Sequence, residues 1–205
     1  MSGPCCQRQN TDPVKVIVPS TIASFGSFIG AGQKVKNEDI QMPTTMYGVS
    51  KVSSERPGEY YQRKGWVDFR AVRFPSIIGA ARGPGGTTVY STLMVQQAAM
   101  NKPYEAYVAK VTRLDILYVK DAISALIQLH DAPGDRLKRR VCNIAGIRID
   151  DQAPQARDIE AAVREQNPDA AVTYKVNQQL SDTSSRLRRL GRHGCQGGLA
   201  VCKRR

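Results

Sequence analysis

Tyr47 and Lys51 stand four residues apart in Met46-Tyr47-Gly48-Val49-Ser50-Lys51, and positions four apart on a helix share a face. A phenol beside an ammonium ionises more readily, because the cation favours the phenolate. Tyrosine ordinarily titrates near pH 10, about three units too high for a base at neutrality, so it needs such help. Ser20 and Thr21, about twenty-five residues earlier, add hydroxyls that could hold a substrate alcohol while the phenol takes its proton. Together these groups are equipment for oxidising an alcohol to a ketone with a nicotinamide cofactor.

Spacing alone does not discriminate. Tyr60-Tyr61-Gln62-Arg63-Lys64 repeats the pattern in a chain with eight tyrosines. Residues 47 and 60 are separated by about 220° around a helix of 3.6 residues per turn, so they face apart. Only Tyr47 follows a strand ending in Ser-Thr. The expectation is that Tyr47 is functional and Tyr60 an ordinary helix-surface residue.

The elements that must position these groups follow from periodicity. Residues 14–18 read as a short buried strand with Pro19 ending it, which puts Ser20-Thr21 at its C-terminal edge, where open α/β sheets bind ligands. Thr44 or Thr45 caps a helix that starts near Tyr47. Pro57-Gly58 falls in its middle. An interior proline costs about 3 kcal/mol or more, so a kink or two short helices are expected. Further strands are expected over 67–73, 114–119, 140–144 and 172–176. Helices are expected over 89–100, 122–129 (capped by Asp121) and 158–165. The loop Gly83-Pro84-Gly85-Gly86-Thr87-Thr88 is too glycine-rich to be regular; it is either a surface turn or a loop that brings two threonine hydroxyls to a polar ligand. Alternating strands and helices predict an α/β fold with a mostly parallel sheet.

At 205 residues, 41% hydrophobic and 23% charged, the chain is globular and of one-domain size. No apolar run is long enough to span a bilayer, and the polar opening resembles neither a secretory signal nor a good transit peptide. The net charge is +12, but residues 186–205 hold seven Lys/Arg and no acid, leaving +5 elsewhere. That stretch has no aromatic residue to stack on bases, so a solvated tail is expected and nucleic acid is not. Five cysteines without a secretory signal predict reduced thiols. His193, Cys195 and Cys202 fit no zinc spacing, so no metal is expected. The Gly191–Gly194–Gly197 pattern follows an arginine-rich stretch instead of a strand and reads as coincidence.

Several segments carry a resemblance: Val18-Pro19-Ser20-Thr21-Ile22-Ala23-Ser24-Phe25-Gly26, Tyr47-Gly48-Val49-Ser50-Lys51, Gly58-Glu59-Tyr60-Tyr61, Val67-Asp68-Phe69-Arg70, Pro84-Gly85-Gly86-Thr87-Thr88, Leu117-Tyr118-Val119-Lys120-Asp121 and Cys142-Asn143-Ile144. In this order they resemble the short-chain-type L-threonine 3-dehydrogenases of the extended NAD-dependent epimerase/dehydratase superfamily. The resemblance implies a Rossmann-type fold, NAD as cofactor, L-threonine as substrate and 2-amino-3-oxobutanoate as product. It makes Tyr47 the base and Lys51 its partner and a contact of the nicotinamide ribose. Thr21, with Ser20, would orient the substrate hydroxyl. Thr87 and Thr88 would lie in the substrate loop, and Phe74, Ser76 and Ile77 beside the nicotinamide. A homodimer through helices near Tyr47 is implied, in mitochondria if the source is eukaryotic and in the cytoplasm otherwise.

Relatives begin with a glycine-rich strand-turn-helix that this sequence does not show. The expected fold is therefore an incomplete Rossmann type lacking the N-terminal cofactor-binding strands. Residues 1–13 read as a polar leader, 14–177 as the catalytic and substrate-binding portion, and 178–205 as an irregular basic tail. Such a chain is expected to be weakly active or inactive alone. The competing readings are a non-catalytic remnant acting through a partner, and a nucleotide-sugar epimerase using the same Tyr47/Lys51 pair; the Gly-Gly-Thr-Thr loop argues against the latter.

Overall fold

The computed structural model describes residues 12–26, 35–80 and 83–181. The cysteine and histidine groups at 5–6 and 193–202, the glycine pattern at 191–197 and most of the basic tail lie outside the described residues. So do residues 1–11 of the expected leader.

Among the described residues seven strands and four α-helices follow in the order β1 (Val14–Thr21), α1 (Met46–Arg63), β2 (Val67–Phe74), β3 (Ser76–Ile78), α2 (Tyr90–Ala99), β4 (Tyr104–Ala106), β5 (Ile116–Tyr118), α3 (Val119–Asp131), β6 (Val141–Asn143), α4 (Ala156–Gln166) and β7 (Val172–Tyr174). The main sheet is ordered β1-β2-β6, and β3-β5 and β4-β7 form two-stranded sheets. Every one of these pairings is parallel. The α/β, parallel expectation holds, although β3 and β4 were not anticipated, and β5 and β7 pair with them apart from the main sheet.

Pro19 does not end β1. The strand continues through Thr21, with Pro19 opposite Val72 and Thr21 opposite Phe74. β1 is the outer strand of its sheet among the described residues, and a proline is tolerated there because its missing N–H need not serve a ladder. This extension carries Ser20 and Thr21 to the mouth of the sheet beside the end of β2.

Nor does Pro57 divide α1, which is one helix of 18 residues. Pro57 is on the exposed side, so the Ser53 carbonyl that loses its donor faces water. The neighbouring Gly58 is buried against β2, and a Cβ there would lie 2.2 Å from the Phe69 ring. Packing on that side holds the helix together across the proline.

Two apolar layers support the sheet. Val72, Phe74, Leu117, Ala122 and Leu129 bury α3 against β2 and β5. Phe69, Ala71 and Val141 fill another cluster with Val16 and Val18. A separate core joins Tyr90 and Met94 of α2 to Ile159 and Val163 of α4, with Leu114 and Val172. Asp121 is not the cap of α3 as expected. The helix begins at Val119, and Asp121 lies in its first turn, where an acid still suits the helix dipole. At the other end Arg70, buried on β2, donates to the carbonyls of Leu129, His130 (3.1 Å) and Ala132 (2.7 Å) and pairs with Asp68.

Cys142 on β6 is buried, its sulfur 3.9 Å from the Arg139 carbonyl. Residues 178–181 are helical, with the Asn177 side chain accepting from the Leu180 N–H, where an irregular tail was expected to begin.

Candidate active site

Two segments converge on one cavity of about 970 Å³. The first is the end of β1 and the short 3-10 turn after it, Ile22–Ser24. Thr21 caps that turn, its Oγ1 accepting from the Ala23 N–H at 3.2 Å. This leaves the hydroxyl proton of Thr21 for another acceptor. The second is the N-terminus of α1, capped by Thr45, whose Oγ1 accepts from the Gly48 N–H at 3.1 Å. Gly48 permits the approach of the two segments, because a Cβ there would sit 2.5 Å from the Ala23 carbonyl oxygen.

Tyr47 and Lys51 occupy successive turns of α1, as the spacing predicted. The Lys51 ammonium lies 5.7 Å from the Tyr47 ring centroid and donates to the Pro19 carbonyl at 2.8 Å. One hydrogen bond leaves two more N–H donors on the same ammonium.

All nine residues singled out from the sequence line this cavity: Ser20, Thr21, Tyr47, Lys51, Phe74, Ser76, Ile77, Thr87 and Thr88. The loop preceding α2 is pinned in place. Ser76 donates toward Thr88 Oγ1 at 3.2 Å, and Tyr107 donates to the Thr87 carbonyl at 2.9 Å while accepting from the Tyr90 N–H. The glycine-rich loop thus forms a wall of the cavity. Tyr118, Val119 and Lys120, from the start of α3, complete it; the sequence reading gave them no role.

Ser20 is placed differently from Thr21. It is 3% exposed, and its hydroxyl donates to the carboxylate of Glu55, so it offers the cavity lone pairs and no proton. Glu55 was missed in the sequence, though 47, 51 and 55 form an i, i+4, i+8 stripe on α1. Its carboxylate is wholly buried and paired with Arg73 of β2 at 2.7 Å. Burial pushes the Glu55 carboxyl up, but the hydrogen bond and charge of Arg73, then Ser20 and Gln41, outweigh it and hold the group below its ordinary value. Among the described residues no cluster of His, Cys, Asp or Glu could hold a metal ion, and no helix is long and apolar enough to cross a membrane.

Parallel strands, with a hydroxyl at a strand's C-terminal end facing a tyrosine–lysine pair on the next helix, place the chain in the Rossmann-like α/β class. The chain belongs to the NAD dependent epimerase/dehydratase family, whose profile matches residues 5–145. It is 35% identical over 165 residues to the mitochondrial L-threonine 3-dehydrogenase of Bos taurus, covering 80% of this chain and 43% of that protein. It is 38% identical over 172 residues to an uncharacterized epimerase/dehydratase of Staphylococcus haemolyticus, covering 83% of this chain and 52% of that protein. A solved structure of the GalE-like L-threonine dehydrogenase from Cupriavidus necator, in its apo form, superposes with a TM-score of 0.74 at 35% identity, over 83% of this chain and 60% of the other. The chain spans about half the length of the curated relatives it matches.

Proposed function

We propose that this polypeptide carries the substrate- and proton-handling part of an NAD-dependent L-threonine 3-dehydrogenase. The observation that supports this most is the convergence of the Tyr47/Lys51 pair, Thr21 and the Thr87-Thr88 loop on one cavity. In this reading Thr21 donates to the substrate oxygen and Tyr47 takes the hydroxyl proton. The Lys51 ammonium, anchored on the Pro19 carbonyl, keeps positive charge beside the phenol. Thr87 and Thr88 shape the substrate side of the pocket. The 2-amino-3-oxobutanoate product retains the carbon skeleton of L-threonine, its hydroxyl carbon having become a ketone.

The donors present fit the nicotinamide end of NAD. Lys51 has N–H groups to spare for ribose hydroxyls, and Phe74, Ser76 and Ile77 offer a partly apolar wall. When bound, NAD supplies the acceptor for the hydride that leaves the substrate. The exposed apolar residues Met46 and Val49 on α1 support a homodimer through that helix. By the bovine relative's name, a eukaryotic source would place the protein in mitochondria.

The test is calorimetric titration of the purified chain with NAD, with and without millimolar L-threonine. Binding that tightens with threonine is expected, with weak turnover at most. A folded chain that binds neither overturns the dehydrogenase reading and leaves association with a partner as its role.

A further inference from the structure

A buried network behind the cavity wall has no part in the chemistry just described. The Glu55 carboxylate accepts from Ser20 of β1, from Gln41 Nε2 at 2.9 Å, and from Arg73 of β2 at 2.7 to 3.1 Å. Arg73 in turn donates to the Asn37 carbonyl at 3.0 Å and to Asn143 of β6 at 3.4 Å, and its guanidinium lies 4.9 Å from the Phe25 ring. Burying such a pair gains little stability over apolar residues of the same size, because both charges leave water. What it does provide is a fixed geometry among the elements it joins.

Those elements are the ones that carry the site. Two successive turns of α1 grip two successive residues of β1: Lys51 holds the Pro19 carbonyl and Glu55 holds the Ser20 hydroxyl. One turn further up the helix is Tyr47, and one residue further along the strand is Thr21.

We propose that Glu55 is a positioning residue: by holding Ser20 it fixes Thr21 on β1 in register with Tyr47 and Lys51 on α1. Ser20 then serves as the link and not as a substrate contact. This rests on Tyr47 and Thr21 being the proton-handling pair. A misplacement of about 1 Å between such groups costs on the order of a hundredfold in rate, so a link of this kind acts on turnover more than on substrate affinity.

The experiment uses the full chain with Ser20→Ala, which spares the Glu55–Arg73 pair, Glu55→Gln, and the double variant. Steady-state rates with L-threonine and NAD are measured beside amide proton–nitrogen spectra. Ser20→Ala is expected to lower kcat at least about tenfold with KM for L-threonine within about twofold. It is also expected to displace the amide resonances of both Thr21 and Tyr47. The double variant should be no worse than Glu55→Gln, since both changes cut the same link.

A raised KM with intact kcat in Ser20→Ala overturns the proposal, because Ser20 then contacts the substrate itself. Unmoved Tyr47 and Thr21 amides with only a lower melting temperature overturn it too, since that is the mark of a merely structural pair. If the unaltered chain neither binds NAD and L-threonine nor turns them over, the dehydrogenase reading fails by itself. The amide displacements in Ser20→Ala then decide the positioning role alone.

Discussion

The two ends of α1 carry the same pair in the same geometry. Lys51 sits 5.7 Å from the Tyr47 ring centroid, and Lys64 sits 5.5 Å from that of Tyr60. Their surroundings differ. The first pair is tied to a strand end through the Pro19 carbonyl and lines a cavity. The second lies in an exposed aromatic group, with Tyr60 against Tyr61 at 5.9 Å and against Trp66 at 6.2 Å. A tyrosine–lysine contact is therefore a property of helical spacing, and it becomes a candidate for chemistry only where a second element brings a hydroxyl and a concave wall.

The sharpest way to break that contrast is to remove each phenol oxygen. Tyr47→Phe should lower L-threonine oxidation about 10²- to 10⁴-fold, the usual worth of a general base, while Tyr60→Phe should stay within about twofold. Equal losses would mean that the ends are equivalent and Tyr47 is not the base. The next effect concerns packing at the Tyr60 end. Gly58→Ala forces a methyl group onto the Phe69 ring and should cost about 1–3 kcal/mol in denaturant unfolding, with KM values little changed.

The smallest effect is a slope with pH. Glu55 is held below its ordinary value of 4.5 in the folded chain, so the unfolded chain binds the proton first as pH falls. The stability this group contributes is present above about pH 4.5 and is lost as pH drops through its folded value, at no more than about 1.4 kcal/mol per pH unit. Hydrogen exchange below pH 4.5 should therefore quicken at Thr21 and Gly48 before it quickens near Tyr60. The reverse order would locate the acid-sensitive contact elsewhere.

Much of this was legible in the sequence. Alternating periodicities specify the parallel α/β framework, and the nine candidate residues line one cavity because strand ends and helix starts meet at the same edge of such sheets. The misses have local causes. Pro19 was read as a stop, since the sequence does not reveal that its strand lies at an edge. Pro57 was read as a break, since the Gly58–Phe69 contact belongs to packing across the sheet and leaves no periodic trace. Glu55 escaped notice because a glutamate on a helix is ordinarily solvated; only the equally buried Arg73, eighteen residues on, turns it into a structural charge. Ser20 and Thr21 are adjacent and chemically alike, and only the fold shows that one donates inward while the other keeps its proton.

Arg70 has a reach that its own position conceals. It clamps the last carbonyls of α3, a helix of 13 residues and so about 20 Å long, whose first residues, Val119 and Lys120, form one side of the cavity. A rod held by a charge at its far tip cannot slide along its axis without dragging that charge out of the sheet. The width of the pocket is thus set in part from the far end of α3, by a guanidinium buried on the middle strand of the main sheet that does not line the cavity.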